Sequence, residues 1–169
     1  MDTPEIVVNL AEWPYKERAD ELRERVVALL ADVSSKGRLN MSRLEGISVV
    51  ESLNTALRSF DAGYPGDHSA AMRETVMGRM ITTFRDSEIR GHIFLPVDVA
   101  LQLINTDAPH RDFCTYAFVH ECAHLHDLDQ WALAFGTDIL RPPLAQPLFL
   151  SLQVCWNEYA ACRLAAYSF

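Results

Sequence analysis

The sequence predicts an α+β domain, rich in helix, with a small antiparallel β-sheet beside one long apolar helix. Three observations predict it. Apolar residues recur at helical spacing through much of the chain. One stretch, 78–95, instead holds two short β-prone runs. The 169 residues suit a single domain with a hydrophobic core of useful size.

The elements follow in order. From Pro14 to Ser34, Ala19, Leu22, Val26, Leu29 and Leu30 form an apolar stripe. Lys16, Glu17, Arg18, Glu21, Arg23 and Glu24 supply the solvated face of that helix. A second helix is expected over 42–60, because Ser42-Arg43-Leu44-Glu45 has the form of a capping box. Gly63-Tyr64-Pro65-Gly66-Asp67 ends it as a loop. Met80–Phe84 and Ile89–Leu95 read as a hairpin, and Pro96 stops its second strand. Asp98–Ile104 is a short helix and Asn105–Pro109 a turn. Arg111 to Phe135 is a long apolar helix. Pro142 and Pro143 break the chain, and Leu148–Tyr167 is a last apolar helix.

Bulk composition narrows the partners. With 49% apolar and 22% charged residues the chain is globular rather than disordered. The net charge is −8 and no Lys/Arg cluster stands out, which argues against nucleic acid and anionic membrane. The N-terminus lacks the basic and apolar regions of a signal peptide, and no run is long enough to span a membrane. Cys114, Cys122, Cys155 and Cys162 show no C-x-x-C spacing, and a small-hydrophobe role for free thiols in a reducing cytoplasm is expected. Because the chain ends on Tyr167-Ser168-Phe169 without a helix stop, the natural protein is expected to continue further.

The chemistry concentrates in His120-Glu121-Cys122-Ala123-His124. Residues i and i+4 share a helix face, so His120 and His124 can grip one tetrahedral Zn²⁺. Glu121 is rotated by about 100° and misses the metal, but it can take a proton from a metal-bound water. The uncharged flanks Ala117, Phe118, Val119, Cys122, Ala123 and Leu125 suit a buried helix. Cys122 itself reads as a small buried residue, rather than a redox switch or a nucleophile.

This segment resembles the zincin metallopeptidases, and the resemblance covers these five residues, their flanks and one further position. It implies a zincin-like domain, a catalytic Zn²⁺, and hydrolysis of peptide bonds in a peptide or protein substrate, with Glu121 as catalytic base. It also implies a sheet whose edge strand pairs with an extended substrate, a role for which the Ile89–Leu95 strand is the candidate. A catalytic zinc needs a third protein ligand. Asn157-Glu158 is similar to the gluzincin pattern, which makes Glu158 that ligand; a carboxylate in so apolar a stretch also calls for a partner. The sequence departs from that pattern at Cys162, where the thermolysin-like group has an acid supporting a ligand histidine. Gly136-Thr137-Asp138 is faintly similar to the aspzincin pattern, so Asp138 is a second candidate. His126, Asp127, Asp129 or no third ligand remain open.

His126 and Asp127 otherwise read as a partly exposed turn of the helix, and Asp129 as a possible support for a ligand imidazole. Tyr159, His92, Tyr116 and Arg163 are the available oxyanion donors. Phe149, Leu152 and Trp156 read as core. Two other classes compete with the enzyme: a non-catalytic metal-binding regulatory or partner-binding module, and a metal-free helical protein carrying the pattern by chance. Substrate specificity and oligomeric state are not written in the sequence.

Overall fold

A computed structural model describes residues 6–36, 39–60, 77–85, 88–107, 109–137 and 147–167. Four strands and five α-helices follow in the order β1 (Val7–Asn9), α1 (Ala19–Ser35), β2 (Leu44–Val50), α2 (Leu53–Ser59), β3 (Arg79–Arg85), β4 (Glu88–Pro96), α3 (Val97–Ile104), α4 (Arg111–Phe135) and α5 (Pro147–Tyr167). A 3₁₀ turn at Lys16–Arg18 leads into α1. The expected loop at Gly63–Asp67, the hairpin turn at Asp86-Ser87 and the break at Pro142-Pro143 lie outside the described residues.

The sheet is mixed rather than antiparallel, with strand order β1-β2-β4-β3. β1 pairs parallel to β2, and β2 parallel to β4; only the β3–β4 hairpin is antiparallel. Parallel neighbours need a crossover connection, and α1 supplies the one between β1 and β2. The three-residue β1 is too short to leave an alternating pattern in the sequence.

The expected helix over 42–60 is corrected to strand β2 followed by helix α2. Ile47, Ser48, Val49 and Val50 are all buried, because both faces of β2 are covered. A strand buried on both faces loses the alternation that identifies a strand, so its apolar run passes for helix. The helix start is at Ser52, whose hydroxyl accepts from the Thr55 N–H (3.3 Å), and not at Ser42.

The two sheet faces are unequal. One carries the main core: Ile47, Val49, Ile89, Ile93 and Leu95 meet residues from α1, α3 and α4, including Leu22, Val26, Leu103, Phe118 and Leu125. The other face holds a smaller cluster of Val50, Leu57, Ile81 and Phe94 under α2. Helix α4 crosses the sheet at β4, where Gly91 makes room for it. A Cβ on Gly91 would overlap Leu125 Cδ1 and lie 3.3 Å from Met80 Sδ.

The loop before β2 is latched to the same helix. Asp129 is 5% exposed at its side chain and accepts from Arg43 Nε (2.5 Å) and Asn40 Nδ2 (2.7 Å). The Asn40 N–H donates to His126 Nδ1 (2.9 Å). Arg43 also donates to the Ile89 carbonyl (3.1 Å), tying helix, loop and sheet together. A buried carboxylate so paired is costly to orphan.

Gly91→Ala is expected to destabilise the fold by about 1–3 kcal/mol, the usual scale for overpacking a core. Urea unfolding measures it. Pairing Gly91→Ala with Leu125→Ala should give a loss smaller than the sum of the single changes, because the two touch the same space.

Candidate metal centre

α4 is buried around most of its circumference, as the uncharged flanks required: Phe118, Val119, Cys122, Ala123 and Leu125 are all buried. The polar residues on it are therefore informative, since each must find a partner. α5 packs against α4 through Ala161 and Ala165, both fully buried. Small side chains there let the two helices approach closely.

That packing brings His120, His124 and Glu158 together. Their ligating atoms all lie within 4.8 Å of one another. His120 Nε2 and His124 Nε2 are 3.0 Å apart, His120 Nε2 and Glu158 Oε2 3.4 Å, and His124 Nε2 and Glu158 Oε1 3.6 Å. Ligands about 2.0–2.1 Å from a tetrahedral zinc stand roughly 3.3 Å from one another, so the three donors fit such an ion. Glu158 is half exposed (55%), so it is solvated and needs no partner to offset burial, contrary to the sequence expectation.

Burial pushes both imidazoles toward the neutral form. His120 is lowered by desolvation against the opposing pull of Glu158, and His124 is lowered to about 3 by desolvation, His120 and Arg79. The contacts to Glu158 are thus not ion pairs at neutral pH. Neutral imidazole is the form that binds metal.

Glu121 points elsewhere, as its rotation on the helix requires. One oxygen, Oε2, accepts the Met80 N–H at 2.6 Å. Gly78 lets the strand pass this close, since a Cβ there would stand 3.2 Å from Glu121 Cγ. Desolvation raises the carboxyl to about 7, against the lowering effects of the Met80 N–H and Arg79. A base poised near neutrality is suited to accept and return a proton.

The edge strand is corrected. β4 (including Ile89–Leu95) lies inside the sheet, between β2 and β3; among the described residues the sheet edge beside α4 is β3. The other proposed ligands are engaged elsewhere. His126 accepts from Asn40. Asp127 is buried rather than partly exposed, and accepts from Trp131 Nε1 (3.1 Å) and Trp156 Nε1 (3.3 Å). Asp129 is bound by Arg43 and Asn40, so it supports no ligand imidazole. Asp138 lies outside the described residues.

The candidate oxyanion donors separate. His92 sits on the opposite sheet face, bonded to Ser48 Oγ (2.9 Å) and packed on Phe60 and Phe94. Tyr159 is 56% exposed and bonded to Arg163 (3.3 Å). Tyr116 stays at the centre, its ring 6.3 Å from that of His120. Arg79 was missed; its charge reaches both Glu121 and His124, and only the strand register reveals it.

Trp156 is 52% exposed and so is not core, while the side chains of Phe149 and Leu152 lie outside the described residues. The four thiols are free. Cys114 and Cys122 are buried, and desolvation pushes the Cys122 thiol far up, consistent with an inert packing residue. Cys155 and Cys162 are exposed, against expectation.

No protein-family model, curated protein or solved structure matches the chain significantly. Among the described residues, no helix is long and apolar enough to cross a membrane.

In the metal-free protein, Glu121 gives a signed pH dependence. Its folded pKa exceeds the unfolded value of 4.5, so its contribution to stability is greatest below pH 4.5 and is lost as pH rises through 7. Glu121→Gln is expected to remove this loss and to exceed wild type above pH 7 by on the order of 3 kcal/mol. Denaturant unfolding at pH 5 and pH 8 measures it; equal pH dependence in both proteins would refute the assignment.

Proposed function

We propose that this chain is a zinc-dependent hydrolase, with peptide bonds as its substrate class, in which His120, His124 and Glu158 hold the ion and Glu121 is the general base. The convergence of three ligating atoms from two helices, at 3.0, 3.4 and 3.6 Å, carries the reading. Bound there, Zn²⁺ would acidify a water and polarise a carbonyl. The zincin resemblance of His120–His124 supplies the peptide-bond part of the reading.

The residues of the chain divide the remaining tasks. Glu121 keeps Oε2 on the Met80 N–H, which fixes the carboxyl group and leaves Oε1 to take up and return a proton. Its raised pKa allows both directions near neutral pH. Among the described residues β3 is the sheet edge beside α4, along which an extended chain could pair. Tyr116, whose ring lies 6.3 Å from that of His120, and Arg79, whose charge is felt by His124, are the candidate donors to a developing oxyanion.

One observation favours a second reading. Glu121 is buried and already bonded to Met80, which also suits a non-catalytic metal-binding module whose carboxylate ties helix to sheet.

Metal analysis by mass spectrometry separates these readings. Wild type is expected to carry about one zinc per chain, and His120→Ala and Glu158→Ala to lose it. Glu121→Gln should keep the zinc and lose roughly 10²–10⁴-fold in hydrolysis of a peptide library. Zinc retained with no hydrolysis by any form would leave the binding module; no zinc in wild type would remove both readings.

A further inference from the structure

His120 touches more than the ligand cluster. While Nε2 faces His124 and Glu158, the other ring nitrogen, Nδ1, lies 3.8 Å from Cys162 Sγ. Cys162 is one helical turn beyond Glu158 on α5, so the same face delivers both groups to His120. Tyr116, one turn before His120 on α4, also feels the thiol: burial and then a side-chain hydrogen bond with Cys162 push the phenol up, toward its protonated form. The result is a chain of three polar groups, His120, Cys162 and Tyr116, running behind the ligand cluster.

We infer that Cys162 is a positioning residue for the metal centre: its sulfur accepts the His120 Nδ1–H, which fixes the tautomer that presents a bare Nε2 to the ion. The inference rests on the proposed metal centre and goes beyond it. An imidazole can ligate through Nε2 only if that nitrogen carries no proton, so the proton must sit on Nδ1, where it needs an acceptor. The sulfur supplies it. Thiol sulfur is a weak acceptor, so this support is softer than a carboxylate would give. The metal would be held correspondingly less tightly than with an acid at this position.

The test uses the full chain and Zn²⁺ alone, titrated against a competing chelator. Cys162→Ala is expected to bind zinc about 10–100-fold more weakly than wild type, the usual effect of removing an outer partner of a ligand histidine. Cys162→Asp restores the acceptor and should bind at least as tightly as wild type. Circular dichroism checks that both variants fold, which the exposure of Cys162 favours. Nitrogen NMR of His120 in the metal-free chain reads the tautomer without the ion, and its Nδ1–H population should fall in Cys162→Ala.

Equal zinc affinity in wild type and Cys162→Ala overturns the inference while leaving the centre standing. A loss in Cys162→Ala that Cys162→Asp does not repair also overturns it, by assigning the thiol to packing. A sulfur-to-metal charge-transfer band on loading wild type with Co²⁺ overturns it as well, because Cys162 would then be a ligand itself. If wild type holds no zinc, the failure belongs to the centre, and this inference falls with it.

Discussion

The structure depends on one constraint: α4 is enclosed on most sides, so a carboxylate or imidazole buried on it needs a partner. The cost of stranding a buried carboxylate or imidazole is several kcal/mol, comparable to a large part of a domain's net stability. The three buried carboxylates of this helix each draw another element toward it. Asp129 draws in the loop at Asn40 and Arg43, Asp127 draws in Trp156 of α5, and Glu121 draws in the start of β3. His120 and His124 are then left facing Glu158 and each other. The arrangement of sheet, loop and last helix around α4 follows from these obligations as much as from apolar packing.

The helices were legible in two ways, by an apolar stripe or by a long apolar run. α1 showed its stripe, and α4 its apolar length from Arg111 to Phe135 after the turn at Asn105–Pro109. The β3–β4 hairpin was legible from its β-prone runs. What failed was β2, where burial on both faces erased the period. That error concealed the parallel pairing and put β4 at an edge instead of inside the sheet. A strand hidden in this way changes the topology more than any boundary error does.

The site was legible in part for a different reason. His120, Glu121 and His124 share one helix, so spacing alone places them. Glu158 comes from another helix, and it was singled out by likeness rather than by geometry; the burial argument offered for it does not hold, since its side chain is well exposed. Arg79 and Cys162 could not have been given roles from spacing, because strand register and helix–helix packing decide what they touch. Asp127 and Asp129 were misjudged because Trp156, Arg43 and Asn40, which bind them in addition to the local Trp131, are 29, 86 and 89 residues away along the chain.

The seam between α4 and α5 has a mechanical consequence. Among the described residues, α5 meets α4 through the fully buried Ala161 and Ala165, the reach of Trp156 to Asp127, and the contacts of Glu158 and Cys162 with His120. An ion shared by His120, His124 and Glu158 would act as a clasp across that seam. Occupancy at a thousand times the dissociation constant adds about 4 kcal/mol to whichever state keeps the seam shut. Stripping the ion would therefore be felt first as α5 lifting away from the sheet-bound body, with β2, β4 and α1 keeping their order. With such an ion bound, the C-terminal helix would be a latch whose strength follows metal supply, and the exposed Trp156 and Tyr159 rings on it would report whether the latch is closed.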